Sequence, residues 1–296
     1  LTEWYPMLAT YKNYKGWNKE LYINYSESYH TGFSNFTLKY ELPSGYTLIS
    51  SSDVDPQSAT STGKVEVDNV KEISVVVTKE MSAVTKKAGD VEIRVWGRED
   101  MKDSKVQVLQ MMSAALPSLS QKIGAYPHHQ FDVFIDQTAS MEYPGLVTVT
   151  QYGQSFYYDA VVHELVHQWF YGMVSNDPYY EGWLDEGMTE YTTSLYQNNY
   201  TSSTARKLYP VETKPSNSDL TALADGKLSK ALYGQPTLKL KELQESLEQE
   251  DRWKFIHTYF ELYKYKQVTT KEFIRFTKAY FEMKDDSFFK DWLKLD

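Results

Sequence analysis

Over the first third of the chain, apolar residues alternate with polar ones in short runs, as at 36–40 and 73–77. Turn residues at Pro43-Ser44-Gly45 and Thr62-Gly63 separate the runs. A period of two argues for half-buried strands, so residues 4–87 read as a β-rich module. The polar, glycine-containing stretch Lys86-Lys87-Ala88-Gly89-Asp90 sets a domain boundary near residue 88. Beyond it, strands at 91–96 and 131–135 flank a helix over 104–123. From residue 157 the period lengthens toward 3.6 and predicts helices at 157–171, 181–198, 236–249, 251–265 and 270–282. Thr269 followed by Glu272 is a capping-box signal for the last of these, and Pro236 suits the first turn of the third. Residues 50–61 form a polar loop, and no internal repeat is visible. The fold class is α+β, with a β-rich domain over residues 1–88 and an α+β domain over 89–296.

With 296 residues, 41% of them apolar, the chain can bury one substantial core and a smaller second one. Lys plus Arg number 31 against 40 for Asp plus Glu, a net charge of −9 that repels phosphate backbones and argues against a nucleic-acid partner. No run approaches the roughly 18 apolar residues of a membrane span. The chain opens at Leu1 with neither an initiator Met nor a leader pattern, as expected of a trimmed or processed chain. Cysteine is absent from the sequence, so any metal must be held by His, Asp or Glu. That absence, with the abundance of Tyr and Ser, tilts the expected setting toward the cell exterior or surface.

The most informative string is His163-Glu164-Leu165-Val166-His167, inside the predicted helix 157–171, whose apolar residues end at Gly172. At 3.6 residues per turn the two histidines lie one above the other on one face and can reach a common ion. Zinc in a catalytic site takes three protein ligands and keeps a fourth position for water. Glu164, beside the first histidine, points next to such an ion rather than at it, where a carboxylate can accept a proton from water. Both histidines could equally be ordinary helix residues, so the reading needs a third ligand. Glu186 supplies a candidate: eighteen residues separate it from His167, enough for a loop and the return of an antiparallel helix.

The HExxH string, the eighteen-residue spacing, Trp183-Leu184-Asp185-Glu186-Gly187 around the third acid and the His-Gln-Trp-Phe-Tyr-Gly run from His167 together resemble the gluzincin zinc aminopeptidases of the alanyl aminopeptidase and leukotriene hydrolase type. The resemblance implies a partial β-sandwich-like N-terminal domain and a thermolysin-like catalytic domain with a small sheet and a mainly helical second half. It also implies one zinc per chain on His163, His167 and Glu186, with Glu164 as general base. Ala139-Ser140-Met141-Glu142 is similar to the family's Gly-Ala-Met-Glu-Asn segment, with Tyr143-Pro144 where the family has Asn. Glu142 would receive the substrate's α-ammonium, with Ser140 and Met141 beside it in the substrate site. Leu232-Tyr233-Gly234-Gln235-Pro236 resembles the segment whose tyrosine hydrogen-bonds the oxyanion, which makes Tyr233 that candidate.

The expected activity is zinc-dependent hydrolysis of N-terminal peptide bonds through an activated water, on peptides with a free N-terminus. A thermolysin-like endopeptidase and a non-catalytic peptidase-like binding module are the alternatives. Against the family's length, the chain is expected to begin within the β domain and to stop just after the catalytic one. Glu190, four residues beyond Glu186, is a candidate acceptor for a ligand ring N–H.

Overall fold

The computed structural model describes residues 4–53, 61–136, 139–150, 158–198, 214–224 and 226–295. Most of the expected polar loop and the start of the helix expected at 157 lie outside the described residues. The chain is mixed α+β, with small sheets and a helical second half. It divides into two compact units, one of residues 1–8, 31–121 and 125–168, the other of residues 9–30, 122–124 and 169–296.

In the first unit the alternating runs become β1 (Ser34–Glu41), β2 (Thr47–Ser50), β3 (Thr62–Val70) and β4 (Val75–Thr78). They pair antiparallel as β1 with β3 and β2 with β4. Leu48, Val65, Val67, Val70, Ile73 and Val75 form their core, so the period of two is met by a buried face. Next come β5 (Met81–Ala88), β6 (Val91–Arg98), helix α1 (Lys102–Lys122), β7 (Gln130–Asp136) and β8 (Leu146–Thr150). The four strands make one sheet in the order β8-β7-β6-β5, with β6, β7 and β8 parallel and β5 antiparallel at one edge. Parallel strands are normally covered on both faces, and Ile93, Val95, Phe131, Val133, Leu146, Val147 and Val149 are all buried, as are Val108, Met112, Ala115 and Leu119 on α1.

The stretch Lys86–Asp90 is the tip of the β5–β6 hairpin rather than a linker. Gly89 takes φ +65° in the two-residue turn. Each compact unit draws residues from both sides of position 88.

The second unit holds helices α3 (Trp183–Gln197), α4 (Gln235–Leu243), α5 (Gln249–Tyr263) and α6 (Thr270–Tyr280), while α2 (Tyr158–Val166) belongs to the first. An aromatic core joins the helices: Trp183 lies edge-on to Phe273 at 4.9 Å and to Trp292 at 5.1 Å, and Tyr259 makes edge contacts with both Phe273 and Phe276. Phe255, Tyr259, Phe260 and Tyr263 are buried, the stripe expected of an amphipathic helix. At the start of α6 the capping box is complete, with the Glu272 carboxylate accepting from the Thr269 amide at 2.9 Å. The Glu181 carboxylate also accepts from the Thr270 amide, and burial pushes its pKa from 4.5 up to about 7. No described helix is long and apolar enough to cross a membrane.

Candidate metal centre

The first candidate ligand, His163, lies on α2, nine residues long, and the second, His167, sits in the turn just past its end. The helix stops at Val166, five residues short of the expected end. The His167 amide still bonds the His163 carbonyl at 3.2 Å, but the Gln168 amide reaches back only three residues, to Leu165 at 3.1 Å. The ladder tightens there and the chain leaves the helix, with Phe170 bridging to Val174 and Tyr171 at φ +144°.

His163, Glu164 and His167 are all buried. The two histidines approach with Nε2 atoms 3.0 Å apart and ring planes 78° to one another, as the i, i+4 spacing requires. Glu142 Oε1 lies 3.9 Å from His167 Nε2. Its backbone neighbour Met141 forms a single antiparallel bridge to Thr148 on β8, so the segment meets the sheet at one bridge. The Thr150 amide donates to the Ser140 hydroxyl at 3.1 Å, tying a second point of the segment to β8. Tyr143-Pro144-Gly145-Leu146 then forms a tight turn closed by the Leu146 amide on the Tyr143 carbonyl at 3.1 Å. Proline presets the second position and Gly145, at φ +71°, supplies the left-handed third. A Cβ there would also come within 3.1 Å of the Ser51 carbonyl oxygen.

Glu186 lies in the first turn of α3, where its amide donates to the Asp185 carboxylate at 2.7 Å. The Tyr233 hydroxyl donates to Glu186 Oε1. Tyr233 belongs to a π-helical turn, Ser229–Gly234, that runs directly into α4. Periodicity alone started that helix at Pro236 and missed the wider turn, a feature often found at functional sites. Glu190, on the same face of α3 as Glu186, is buried.

Gly187 explains how closely these pieces fit. A Cβ at that position would fall 2.5 Å from Pro236 Cβ and 3.1 Å from the Leu232 carbonyl oxygen, so only glycine lets α3 lie against the turn that carries Tyr233. Ala normally favours a helix interior over Gly by about 1 kcal/mol. Overpacking here outweighs that gain, and Gly187→Ala is expected to lower stability by a net of about 1–2 kcal/mol in a denaturant titration.

His163, His167 and Glu186 each offer one ligand atom, and these atoms lie within 4.8 Å of one another. Tetrahedral zinc with bonds near 2 Å separates its ligand atoms by about 3.3 Å. Two imidazoles and a carboxylate at this spacing fit zinc in both donor type and reach. Sequence reasoning did not find the partner of His30, a buried ring whose Nδ1 lies 3.4 Å from Asp177 Oδ2. A separation of 147 positions leaves no local trace of that pair.

Residues 125–229 match the peptidase family M1 domain. That stretch contains Glu142, His163, Glu164, His167 and Glu186, and Tyr233 lies just past its end. No curated protein matches the sequence. Among solved structures, the chain is similar to the M1 zinc metallopeptidase from Deinococcus radiodurans, at 18% identity and a TM-score of 0.71. A mutant of that enzyme bound to a Tyr-Ser-Ala substrate aligns at 17% identity and 0.68. A two-domain M1 zinc metallopeptidase mutant bound to L-arginine aligns at 17% and 0.71. Each alignment covers 90% of this chain and 65% of the other, so the chain spans a little under two thirds of those proteins. The resemblance read from the motifs and the family matched are the same.

Proposed function

With residues 125–229 matching the peptidase family M1 domain, we propose that this chain is a zinc aminopeptidase whose second half is thermolysin-like. The observation that carries the reading is the approach of His163, His167 and Glu186 to within 4.8 Å, with the Glu142 carboxylate 3.9 Å from His167. When bound, zinc supplies Lewis-acid polarisation of a water molecule and of the scissile carbonyl.

The protein's own groups do the rest. Glu164 accepts the proton that the attacking water loses and delivers it to the leaving amine, so water is consumed and one amino acid and a shortened peptide are released. The Tyr233 hydroxyl donates a hydrogen bond to the carbonyl oxygen as negative charge develops on it. Glu142 pairs with the substrate's α-ammonium and holds the first peptide bond in reach. Ser140 and Met141 border the same position.

Glu142 is what favours an exopeptidase. A buried carboxylate beside a metal ligand can pair with the ammonium of a free N-terminus, which the interior of a peptide chain does not offer. An aminoacyl anilide should therefore be cleaved and its N-acetyl form should not, by a factor of at least about 10². Equal rates on the two substrates would point to an endopeptidase. Absence of zinc by elemental analysis, with neither substrate cleaved, would point to a binding module.

A further inference from the structure

Gln168 follows the second histidine directly, is buried, and reaches back to the segment that bears Glu142. Its Nε2 donates to the Tyr143 carbonyl at 3.1 Å, and its Oε1 accepts from the Gly145 amide at 2.8 Å. Only one orientation of the amide satisfies both bonds. On the other side of Glu142, Met141 exchanges two backbone hydrogen bonds with Thr148, at 3.2 and 2.8 Å. The backbone of Glu142 is thus pinned before and after by different partners: the sheet holds position 141, and the residue next to a metal ligand holds 143 and 145.

We infer that Gln168 is a positioning residue that sets the distance from the ammonium-binding carboxylate of Glu142 to the metal-ligating His167. This rests on the role proposed above for Glu142. The chemistry of the side chain argues for it. The clip needs one donor and one acceptor on a rigid plane, with the reach of two methylenes. Glu would set a carboxylate oxygen against the Tyr143 carbonyl, Lys and Arg only donate, and Asn is one methylene short. A pair of bonds 23 and 25 residues apart in sequence is also unnecessary for the turn itself, which the Leu146 amide already closes.

The test uses Gln168→Met, which keeps volume and removes both bonds, and Gln168→Ala, each alone and combined with Glu142→Ala. With an aminoacyl anilide, both Gln168 variants should raise KM by about ten- to a hundredfold with bound zinc unchanged. Added to Glu142→Ala, either should change KM by less than about twofold, because there is no carboxylate left to position. A structural role would give the same penalty in both backgrounds and would overturn the inference. So would unchanged KM in the Gln168 variants while Glu142→Ala abolishes the preference for a free amine. If Glu142→Ala keeps that preference, it is the reading of Glu142 that fails. Hydrogen exchange on the unmodified protein gives a readout independent of folding defects in the variants. The Gly145 amide should exchange as slowly as the ladder amides of β8, and rapid exchange would overturn the clip.

Discussion

Replacing Glu164 by Gln is expected to reduce turnover by about 10²–10⁴-fold while zinc stays at one per chain. The two side chains have the same shape, so α2 and its buried packing should be retained, and the difference lies in proton chemistry alone. A carboxylate can take a proton from water and pass it to an amine; an amide cannot. Glu164 is not one of the three residues whose ligand atoms converge, so its loss leaves the ion's protein donors intact. His163→Ala should behave differently, lowering zinc content together with activity. Steady-state kinetics and elemental analysis on the same preparations separate the two. A fully active, zinc-loaded Glu164→Gln enzyme would rule out this residue as the base.

The contrast between those variants reflects which parts of the centre were readable in advance. His163 and His167 were legible because a helix converts a spacing of four into adjacency, and the observed 3.0 Å between their Nε2 atoms follows from that rule. The capping box at Thr269 and the buried stripe of α5 were legible for the same reason, since each is local. The end of α2 was not, because Gly172 is a valid stop signal but the ladder tightens earlier, at Gln168. The stretch around Gly89, read as a domain boundary, forms a hairpin tip, because a hairpin tip and a domain boundary share a composition. Gln168 was visible only as a letter in a motif: side-chain bonds to backbone across more than twenty positions have no periodicity. Residues 9–30 read as strands continuous with the β module, yet they join the second unit and contribute only the two-residue pair Tyr11–Lys12 and Gly16–Trp17. Alternation there is not followed by burial, as the exposed Leu21 and Tyr22 show.

Tyr233→Phe is expected to lower kcat by about 10²–10³-fold, with KM nearly unchanged. Tyr233 donates to Glu186 Oε1, so it already reaches the third candidate ligand and has two possible jobs. If it stabilises charge developing on the substrate oxygen, the bond is strongest in the transition state, and its loss appears in kcat and in kcat/KM equally. If instead it only orients Glu186, its loss weakens the metal site, by about 10–100-fold in zinc affinity, and saturating zinc would restore turnover. Gly187 lets the turn that carries Tyr233 lie against α3, so in either role the phenol is held beside Glu186. Measuring kcat at rising zinc concentrations distinguishes them, and recovery of activity with added zinc would move Tyr233 from substrate contact to support of Glu186.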